Sequence, residues 1–305
     1  MASAKSRART IEKLRALQVE VTYPPTARLT LLQGETVVVK YGGHALSSGG
    51  LPPFAADVAY LVRAGVRVVV VHGGGPEISA EMEKEGVLPA FVHGHRVTDE
   101  ATLKIAERVL SGRVNREIVT ALERAGCKAV GISGRDGSLL RARYRKPKVV
   151  DDAGRETTVN LGFVGDVDRV NTRLLQLLQG GGYTPVIAPI GVTASGQSLN
   201  INADAVAGAV AGALKAASCV FLTDVAGILK DRADARSLVS ALRYREAEAL
   251  IASGAVTGGM VPKVQACLDA LSSGAREARI ADGREGRPLL DALLPAEPKG
   301  SAITP

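Results

Sequence analysis

Two glycine-rich turns in this 305-residue chain have the composition of anion-binding sites. Gly42 and Gly43 follow the apolar run TVVVK, while Gly73, Gly74 and Gly75 follow VRVVVV and precede a proline that opens a helical stretch. Bare backbone N–H groups beside the positive end of a helix attract phosphate or carboxylate. Neither turn is a Walker A loop or a GxGxxG motif. The glycines could simply permit tight turns, but two turns at matching positions favour anion binding.

Two lysines are candidates for supplying the positive charge that phosphoryl transfer requires. Lys40 ends the first apolar run, where packing gives no reason for a lysine. Lys263, in GGMVPK, could add a second fixed charge, although a solvated helix residue is the alternative. Asp204 could orient both lysines, which would otherwise repel each other, or it could cap a helix. Two converging lysines and glycine amides would stabilise the transition state of phosphoryl transfer.

Arg96, in GHRVTDE, is a candidate for recognising a carboxylate, because its planar guanidinium presents two parallel donors. The alternative is a surface ion pair with Asp99 or Glu100. Asn200 and Asn202 alternate along an extended segment that leads into an Ala-rich helix, so they share one face. They could bind a substrate, or Asn202 could only cap the helix.

Metal and nucleophile chemistry have little support in the sequence. His93 and His95 form the one conceivable metal pair, and no cysteine or carboxylate cluster at ligand spacing accompanies them, so no protein metal ligand is predicted. No GxSxG elbow is present. The cysteines are odd in number and lack CxxC spacing, which indicates a reducing compartment and predicts a cytoplasmic protein.

The net charge of +7 is concentrated in two segments. Residues 1–16 and 141–148 each hold five basic residues, and the rest of the chain is nearly balanced. With no Trp and four Phe to stack on bases, this distribution argues against nucleic-acid binding. The apolar segments stop short of the roughly 20 residues that cross a bilayer, so no membrane span is predicted.

The apolar pattern predicts the elements that must position these residues. Strand, glycine turn and helix alternate from residue 36 onward, as in an α/β protein with a parallel sheet and crossover helices. Such sheets bind ligands at the carboxyl ends of their strands, where both glycine turns lie. The alternation of polar and apolar residues over 138–170 predicts antiparallel hairpins. Further helices are predicted at 171–179, 203–216, 244–252 and 259–273, with strands at 219–224 and 278–282.

Ten blocks between Lys40 and about Ala302 resemble the N-acetylglutamate kinases of the amino-acid-kinase superfamily. In chain order they are VVVKYGGHAL, VVVVHGGGPEIS, GHRVTDEATL, VLSGRVNREIV, GISGRDGSLLRAR, LGFVGDVDRV, GGYTPVIAPIGV, GQSLNINADAVAGAVAGAL, FLTDVAGIL and GGMVPKVQACLDAL. The resemblance implies a three-layer α/β/α sandwich with a mainly parallel central sheet, the carbamate-kinase-like fold. It implies a lobe at 34–192 for the acyl amino acid and dimerisation, and an ATP lobe at 193–305. The basic composition of the preceding segment indicates an N-terminal arm or helix at 1–33.

The same resemblance implies a reaction and a role for each matching residue. ATP would phosphorylate the side-chain carboxylate of N-acetyl-L-glutamate, the second step of arginine biosynthesis, with Mg2+ held through the nucleotide. The implied catalytic residues are Lys40, Lys263 and Asp204; the substrate residues are Gly74, Gly75, Arg96, Asn200 and Asn202. The implied phosphate-binding residues are Gly42, Gly43 and Gly73, with Gly74 also donating an N–H, and the nucleotide residues are Thr223, Asp224 and Leu229.

Departures from the family pattern leave alternatives open. His44 stands where the family commonly has asparagine, and His95 where it commonly has leucine. Both lie beside the implied acceptor pocket. The alternative function is therefore a sister kinase that acts on another acylated or carrier-linked acidic amino acid, such as aminoadipate. A non-catalytic amino-acid sensor is a third reading, against which the intact lysines argue. A homodimer is expected. The N-terminal arm poorly matches the helix that links dimers into hexamers, which leaves the hexamer and feedback by arginine as open alternatives.

Overall fold

A computed structural model of the chain describes residues 26–42, 50–92, 94–150, 156–231, 234–284 and 286–305. The α-helices are α1 (Ala27–Leu32), α2 (Leu51–Arg63), α3 (Gly75–Lys84), α4 (Glu100–Glu107), α5 (Asn115–Arg124), α6 (Thr172–Gly180), α7 (Ala203–Ala213), α8 (Tyr244–Ala252), α9 (Met260–Ser272) and α10 (Pro288–Leu293). The strands are β1 (Thr36–Tyr41), β2 (Arg67–His72), β3 (Phe91–Val92), β4 (His95–Arg96), β5 (Ala129–Ser133), β6 (Leu140–Tyr144), β7 (Lys148–Val150), β8 (Glu156–Thr158), β9 (Val164–Val170), β10 (Thr184–Ala188), β11 (Ile190–Val192), β12 (Ser198–Ile201), β13 (Ser218–Thr223), β14 (Ala241–Arg243), β15 (Ala278–Asp282) and β16 (Ser301–Thr304).

An eight-stranded, mainly parallel sheet runs through the molecule in the order β14-β16-β15-β13-β1-β2-β10-β5. The six strands from β15 to β5 are parallel to their neighbours, while β16 pairs antiparallel with β15 and parallel with β14. All six residues of β1 are buried, as expected for a central strand covered on both faces. The sheet therefore joins the two predicted lobes without interruption, and their boundary at residue 192 stays a prediction.

Each face of the sheet has its own apolar core, which makes the protein three-layered. Successive side chains of a strand point to opposite faces. Val37, Val39 and Tyr41 accordingly join a cluster with residues of α2, α5 and α10. Val38 joins the opposite cluster, with residues of α6, α7 and α9. By the same alternation Lys40 lies on the face of Val38, the side from which α7 and α9 approach.

Antiparallel strands cover one side of the parallel sheet, and the prediction of hairpins over 138–170 is confirmed. β6 pairs antiparallel with β9, and β7 pairs antiparallel with β8. β6, β9, β11 and β12 form a closed four-stranded sheet, while β3 and β4 form a short separate hairpin. β12 leads directly into α7, and β4 is the second strand of the hairpin that follows α3, so Asn200 and Arg96 lie on these small sheets.

Several elements differ from the sequence-based expectation. The helical pattern from Asp99 to Gly126 is interrupted by a π-helix at Arg108–Val114. The helix predicted at 203–216 ends at Ala213, and Lys215 adopts a left-handed φ of 49°, which an α-helix does not accommodate. β14, α10 and β16 were not predicted. Within the basic arm at 1–33, α1 is described, and the first 25 residues lie outside the described part of the chain.

Across the described segments of the chain, no helix combines the length and apolar character that crossing a membrane requires.

Candidate active site

A cavity of about 270 Å³ opens beside the ends of β1 and β2 and brings together most of the predicted site residues. Chain segments from both halves of the sequence form its walls. The predicted residues that line it are Lys40, Gly73, Gly74, Gly75, Arg96, Asn200, Asn202 and Asp204. This location agrees with the rule that open α/β sheets bind ligands at the carboxyl ends of their strands.

Lys40, Asp204 and Lys263 form a linear ion-pair network at this cavity. Lys40 Nζ lies 3.0 Å from Asp204 Oδ1, and Lys263 Nζ lies 3.2 Å from Asp204 Oδ2. Lys40 comes from the end of β1, Asp204 from the first turn of α7 and Lys263 from the first turn of α9. Because the carboxylate lies between the two ammonium groups, it holds them near each other despite their repulsion.

The network is buried and carries a net positive charge. The side chains of Lys40 and Asp204 are 9% and 8% exposed, and that of Lys263 is 19% exposed. Burial alone would raise the pKa of Asp204, but the charges of Lys40 and Lys263 outweigh it, and the pKa lies below its ordinary value. Asp204 is therefore ionised near neutral pH, and one positive charge in this group of three remains without an internal counterion.

The glycine turn after β2 has a backbone that requires glycine. Gly74 has φ 157°, and a Cβ there would lie 2.6 Å from Leu110 Cδ2. A Cβ on Gly42 would lie 2.9 Å from the backbone nitrogen of Gly73, so the two glycine turns touch each other. Gly75 is the first residue of α3, which places the positive end of that helix at the cavity. Gly43 lies outside the described residues.

Arg96 lies in the cavity wall with its guanidinium fixed by uncharged groups. Its Nη2 donates to Gly75 O at 2.9 Å and to Ser79 Oγ at 2.8 Å, and its Cζ lies 4.7 Å from the centre of the Phe91 ring. The side chain is buried, and no carboxylate of the described residues lies within ion-pair distance of it. A buried, rigid guanidinium of this kind is suited to binding an anionic ligand.

The alternative of a surface ion pair between Arg96 and Asp99 or Glu100 is wrong. Asp99 caps α4 by accepting from Thr102 N at 2.8 Å, and Glu100 pairs with Lys104 at 2.8 Å. Both carboxylates are thus used locally on α4, while Arg96 turns toward α3.

Asn200 and Asn202 both line the cavity but differ in their bonding. Asn200, on β12, donates from Nδ2 to Thr98 Oγ1 at 3.3 Å. The Oδ1 of Asn202 accepts from Asp204 N at 2.8 Å and from Ala205 N at 3.3 Å, so Asn202 is the N-cap of α7. The capping role considered from the sequence is present, and a substrate contact by either amide stays a prediction.

The predicted nucleotide-binding residues, Thr223, Asp224 and Leu229, do not line the cavity. Thr223 and Asp224 lie at the end of β13, the strand that pairs with β1. Thr223 is the last residue of β13, and its hydroxyl donates to Asp224 Oδ1 at 3.0 Å. Leu229 is half-buried and forms an isolated β-bridge with Leu238. Their role in binding a nucleotide stays a prediction.

Sequence reasoning missed the residues that support the predicted ones. Ser79 and Phe91 fix the guanidinium of Arg96, and Thr98 holds Asn200. Leu110, from the π-helix, packs beneath Gly74. Ser79 lies four residues after Gly75 on α3, and this spacing, which puts both residues on one face of the helix, could have been recognised in the sequence. The other contacts join distant segments and leave no local pattern. His95 lines the cavity beside Arg96, whereas His44 lies outside the described residues.

The site does not fit a divalent cation bound by protein side chains. The carboxylate of Asp204 uses both oxygens on lysines. Among the residues that the structure describes, no group of three or more His, Cys, Asp or Glu side chains is arranged to hold a metal ion. Mg2+ prefers several oxygen ligands and binds readily through nucleotide phosphates, so any magnesium here would arrive with its nucleotide.

Comparison with known proteins identifies the class that this fold and this site define. The sequence profile of the Amino acid kinase family matches residues 35–282, and the chain belongs to that family. Among curated relatives, acetylglutamate kinase of Geobacter sulfurreducens is 50% identical over 82% of this chain and 85% of its own length. Acetylglutamate kinase of Nitratidesulfovibrio vulgaris is 47% identical over 94% and 92% of the two chains. The resemblance read from the ten sequence blocks is thereby confirmed.

Solved structures confirm the predicted fold. The chain superposes on N-acetylglutamate synthase from Neisseria gonorrhoeae, complexed with coenzyme A and N-acetyl-glutamate, with a TM-score of 0.77 and 26% identity. The match covers 91% of this chain and 61% of the synthase, so the chain spans about three-fifths of that protein. Carbamate kinase from Giardia matches with a TM-score of 0.64 at 16% identity, covering 89% of this chain, which supports the fold alone.

Proposed function

We propose that this protein is an acetylglutamate kinase, which phosphorylates N-acetyl-L-glutamate with MgATP in the second step of arginine biosynthesis. The observation that carries the proposal is the ion-pair network of Lys40, Asp204 and Lys263 beside the glycine turn and Arg96. The identity of 47% to 50% with curated acetylglutamate kinases over most of the chain supports the choice of acceptor.

In the proposed reaction, a γ-carboxylate oxygen of the acceptor attacks the γ-phosphorus of ATP. The bond between that phosphorus and its bridging oxygen breaks, ADP departs with the electron pair, and an acyl phosphate forms. The nucleophile is already an anion at neutral pH, so the step needs no general base. The site's task is to align two anionic groups and to stabilise the charge on the phosphoryl oxygens, and fixed cations and backbone N–H groups suit that task.

The proposed roles follow from where each group lies. Lys40 and Lys263 stabilise the transferring phosphoryl group, and Asp204 keeps both ammonium groups directed at it. The N–H groups of Gly74 and Gly75 bind phosphoryl oxygens at the N-terminus of α3, whereas the N–H of Gly73 donates to Tyr41 O at 2.9 Å. Arg96 binds the α-carboxylate, with Asn200 on the acylated amino group. Thr223, Asp224 and Leu229 contact the nucleotide.

The acceptor is tested by measuring ADP release in a coupled assay with N-acetyl-L-glutamate, L-glutamate and N-acetyl-aminoadipate. We expect kcat/KM to be highest with N-acetyl-L-glutamate. Turnover at background with this acceptor would contradict the proposal. A higher kcat/KM with N-acetyl-aminoadipate would favour the sister kinase, for which the position of His95 in the cavity wall is the supporting observation.

The proposed protein works in the cytoplasm as a homodimer. The three cysteines are free and buried, as in proteins of reducing compartments. Sedimentation velocity across a range of concentrations tests the assembly. A dimer is expected, while a stable hexamer or a monomer would correct this part of the proposal.

A further inference from the structure

A fully buried histidine lies directly before the glycine turn, and nothing in the proposed reaction uses it. His72 is the last residue of β2 and is 0% exposed. Its Nδ1 lies 2.8 Å from Gly73 O, and its Nε2 lies 3.1 Å from Asn115 Nδ2. Asn115 Nδ2 also donates to Val186 O at 2.9 Å. The four consecutive valines of β2 are thus followed by a buried polar network.

Carbonyl groups at both ends of this network determine its hydrogen positions. Gly73 O and Val186 O can only accept, so His72 Nδ1 must carry a hydrogen and Asn115 must direct its NH2 group inward. A neutral imidazole has one N–H, so His72 Nε2 accepts from Asn115. Burial lowers the pKa of His72 to about 4, which keeps the ring neutral at physiological pH. This one arrangement gives each of the three hydrogen bonds of the network one donor and one acceptor.

Asn115 is itself held rigidly by its surroundings. It follows the π-helix at Arg108–Val114, which also presents Leu110 to Gly74. A Cβ on Gly131 would lie 1.9 Å from Asn115 Oδ1, so only glycine at this position of β5 leaves room for the amide. Interruptions of this kind in helices occur frequently at functional sites.

The hydrogen bond from His72 determines how the next peptide is turned. None of the residues that the structure describes is joined by a cis peptide bond, and in a trans peptide the C=O of one residue and the N–H of the next point in opposite directions. Gly73 O points to the buried imidazole, so the N–H of Gly74 points away from it. Gly73 and Gly74 both line the cavity. We infer that His72, locked by Asn115, is a positioning residue that keeps the N–H of Gly74 turned toward the phosphoryl-binding side of the cavity.

The other peptides of the turn are held in a consistent way. Gly74 O accepts from Ile78 N at 2.9 Å inside α3, so the N–H of Gly75 points out of the helix N-terminus. Gly75 O accepts from Arg96. Each carbonyl of Gly73, Gly74 and Gly75 therefore has a partner that directs it away from the ligand, and two amides are left to bind an anion.

Two substitutions of similar polarity separate positioning from packing. His72→Asn places an amide nitrogen where Nδ1 lies and can still donate to Gly73 O, whereas His72→Gln places it where Nε2 lies and cannot. The inference rests on the proposed kinase function for its kinetic measurement. We expect His72→Gln to lower kcat by about 10- to 100-fold with KM values changed less than about threefold. His72→Asn should stay within about fivefold of the wild type.

Leu175→Ala is the matched control, since Leu175 is fully buried in α6 and loses core packing without touching the turn. It should lower the melting temperature and leave kcat within about twofold below that temperature. Equal losses of kcat in His72→Asn and His72→Gln would overturn the inference, because packing alone would then explain both.

A crystal structure of the wild-type protein with ADP, aluminium fluoride and N-acetylglutamate provides a measurement that needs neither activity nor a folded variant. We expect Gly74 N within hydrogen-bond distance of the fluoride and Gly73 O on His72. A Gly73–Gly74 peptide turned the other way would overturn the inference. A wild type that lacks turnover yet shows this geometry would contradict the proposed kinase function while supporting the role of His72.

Discussion

Few of the charged residues that the structure describes lie at the candidate site. Among the basic residues that the structure describes, three lie at or beside the cavity, and one carboxylate, Asp204, is shared between two of them. Because these groups are buried in a region of low dielectric constant, their fields act more strongly than those of exposed lysines. The net charge of +7 is therefore a poor indicator of the ligand, and the positions of Lys40, Lys263 and Arg96 are a better one.

The role of Lys40 is tested by Lys40→Met, which keeps most of the side-chain volume and removes the charge. We expect kcat to fall by about 10²- to 10³-fold, because the phosphoryl oxygens lose a fixed cation in the transition state. Stopped-flow or coupled measurement of ADP release determines kcat, and the KM for N-acetylglutamate should change little.

Lys104→Met is the control for Lys40→Met. Lys104 forms an exposed pair with Glu100 on α4, and its loss should leave kcat unchanged. If Lys40→Met retained wild-type kcat, the proposed stabilisation of the phosphoryl group by Lys40 would be wrong.

The candidate site was largely predictable at the residue scale, since its main residues sit at the ends of apolar strands or at helix starts. Lys40 and the glycines after β2 carry that signal directly in the sequence. The contact of His72 with Asn115 carries none, because the two residues are 43 positions apart and only the tertiary fold brings them together. Such supporting contacts depend on tertiary structure, and a single sequence does not contain their distances.

Among the helices, α10 shows how a short element is stabilised by a distant partner. Asp57, on α2, is 0% exposed and accepts from Leu289 N at 3.0 Å and Leu290 N at 3.3 Å. Its other oxygen accepts from Arg287 Nε at 2.7 Å. Asp57 thereby satisfies the first N–H groups of α10 as an N-cap residue would, but from about 230 positions away.

Asp57→Ala should reduce the free energy of unfolding by about 2–4 kcal/mol, because buried N–H groups and a guanidinium lose their acceptor. Urea unfolding followed by circular dichroism measures this change, and kcat should be unaffected under native conditions. Lys299→Ala, which removes an exposed ion pair with Asp291 on the same helix, serves as the control and should cost less than about 1 kcal/mol. Equal losses in the two variants would contradict the capping role of Asp57.

The contacts of Asp57 and the pairing of short strands explain why α10 and β16 were not predicted from the sequence. The long apolar runs of β1 and β2 predict central strands, because only strands buried on both faces are so uniformly apolar. The segments PLLDAL of α10 and SAIT of β16 are too short to show a period. They take their structure from Asp57 and from pairing with β14 and β15, which sequence periodicity does not report.

At the scale of the whole molecule, a second, partly buried ion network joins α1 to the starts of β13 and β15. Glu277 contacts Arg28 of α1 at 3.1 Å, Arg279 of β15 and Ser218 of β13. Burial alone would raise the pKa of Glu277, but the hydrogen bond and charge of Arg279, with the charge of Arg28, lower it below its ordinary value.

This lowered pKa predicts how stability depends on acid. A carboxylate whose pKa is lower in the folded state stabilises the fold above its unfolded pKa and loses that contribution as pH falls through the folded value. The wild-type free energy of unfolding should therefore drop below about pH 4.5. In Glu277→Gln the slope against pH should be smaller by up to about 1.4 kcal/mol per pH unit.

Urea unfolding at a series of pH values from 7 to 3 measures both slopes. Glu100→Gln, at an exposed pair with Lys104, should change the slope less than Glu277→Gln does. If the free energies of unfolding of the wild type and of Glu277→Gln changed in parallel with pH, the Arg28–Glu277–Arg279 network would not determine how stability depends on acid.

The pairing of β1 with β13 has a consequence for synthesis on the ribosome. Val37 pairs with Ser218, so about 180 residues separate the two strands in the chain. At about 5–20 residues per second, β1 waits on the order of ten to forty seconds for this neighbour and meanwhile has only β2 beside it. Asp204 and Lys263 emerge later still than Lys40. A nascent chain thus carries one of the three members of its charged network, with an unpaired strand edge, for most of the time that its translation takes.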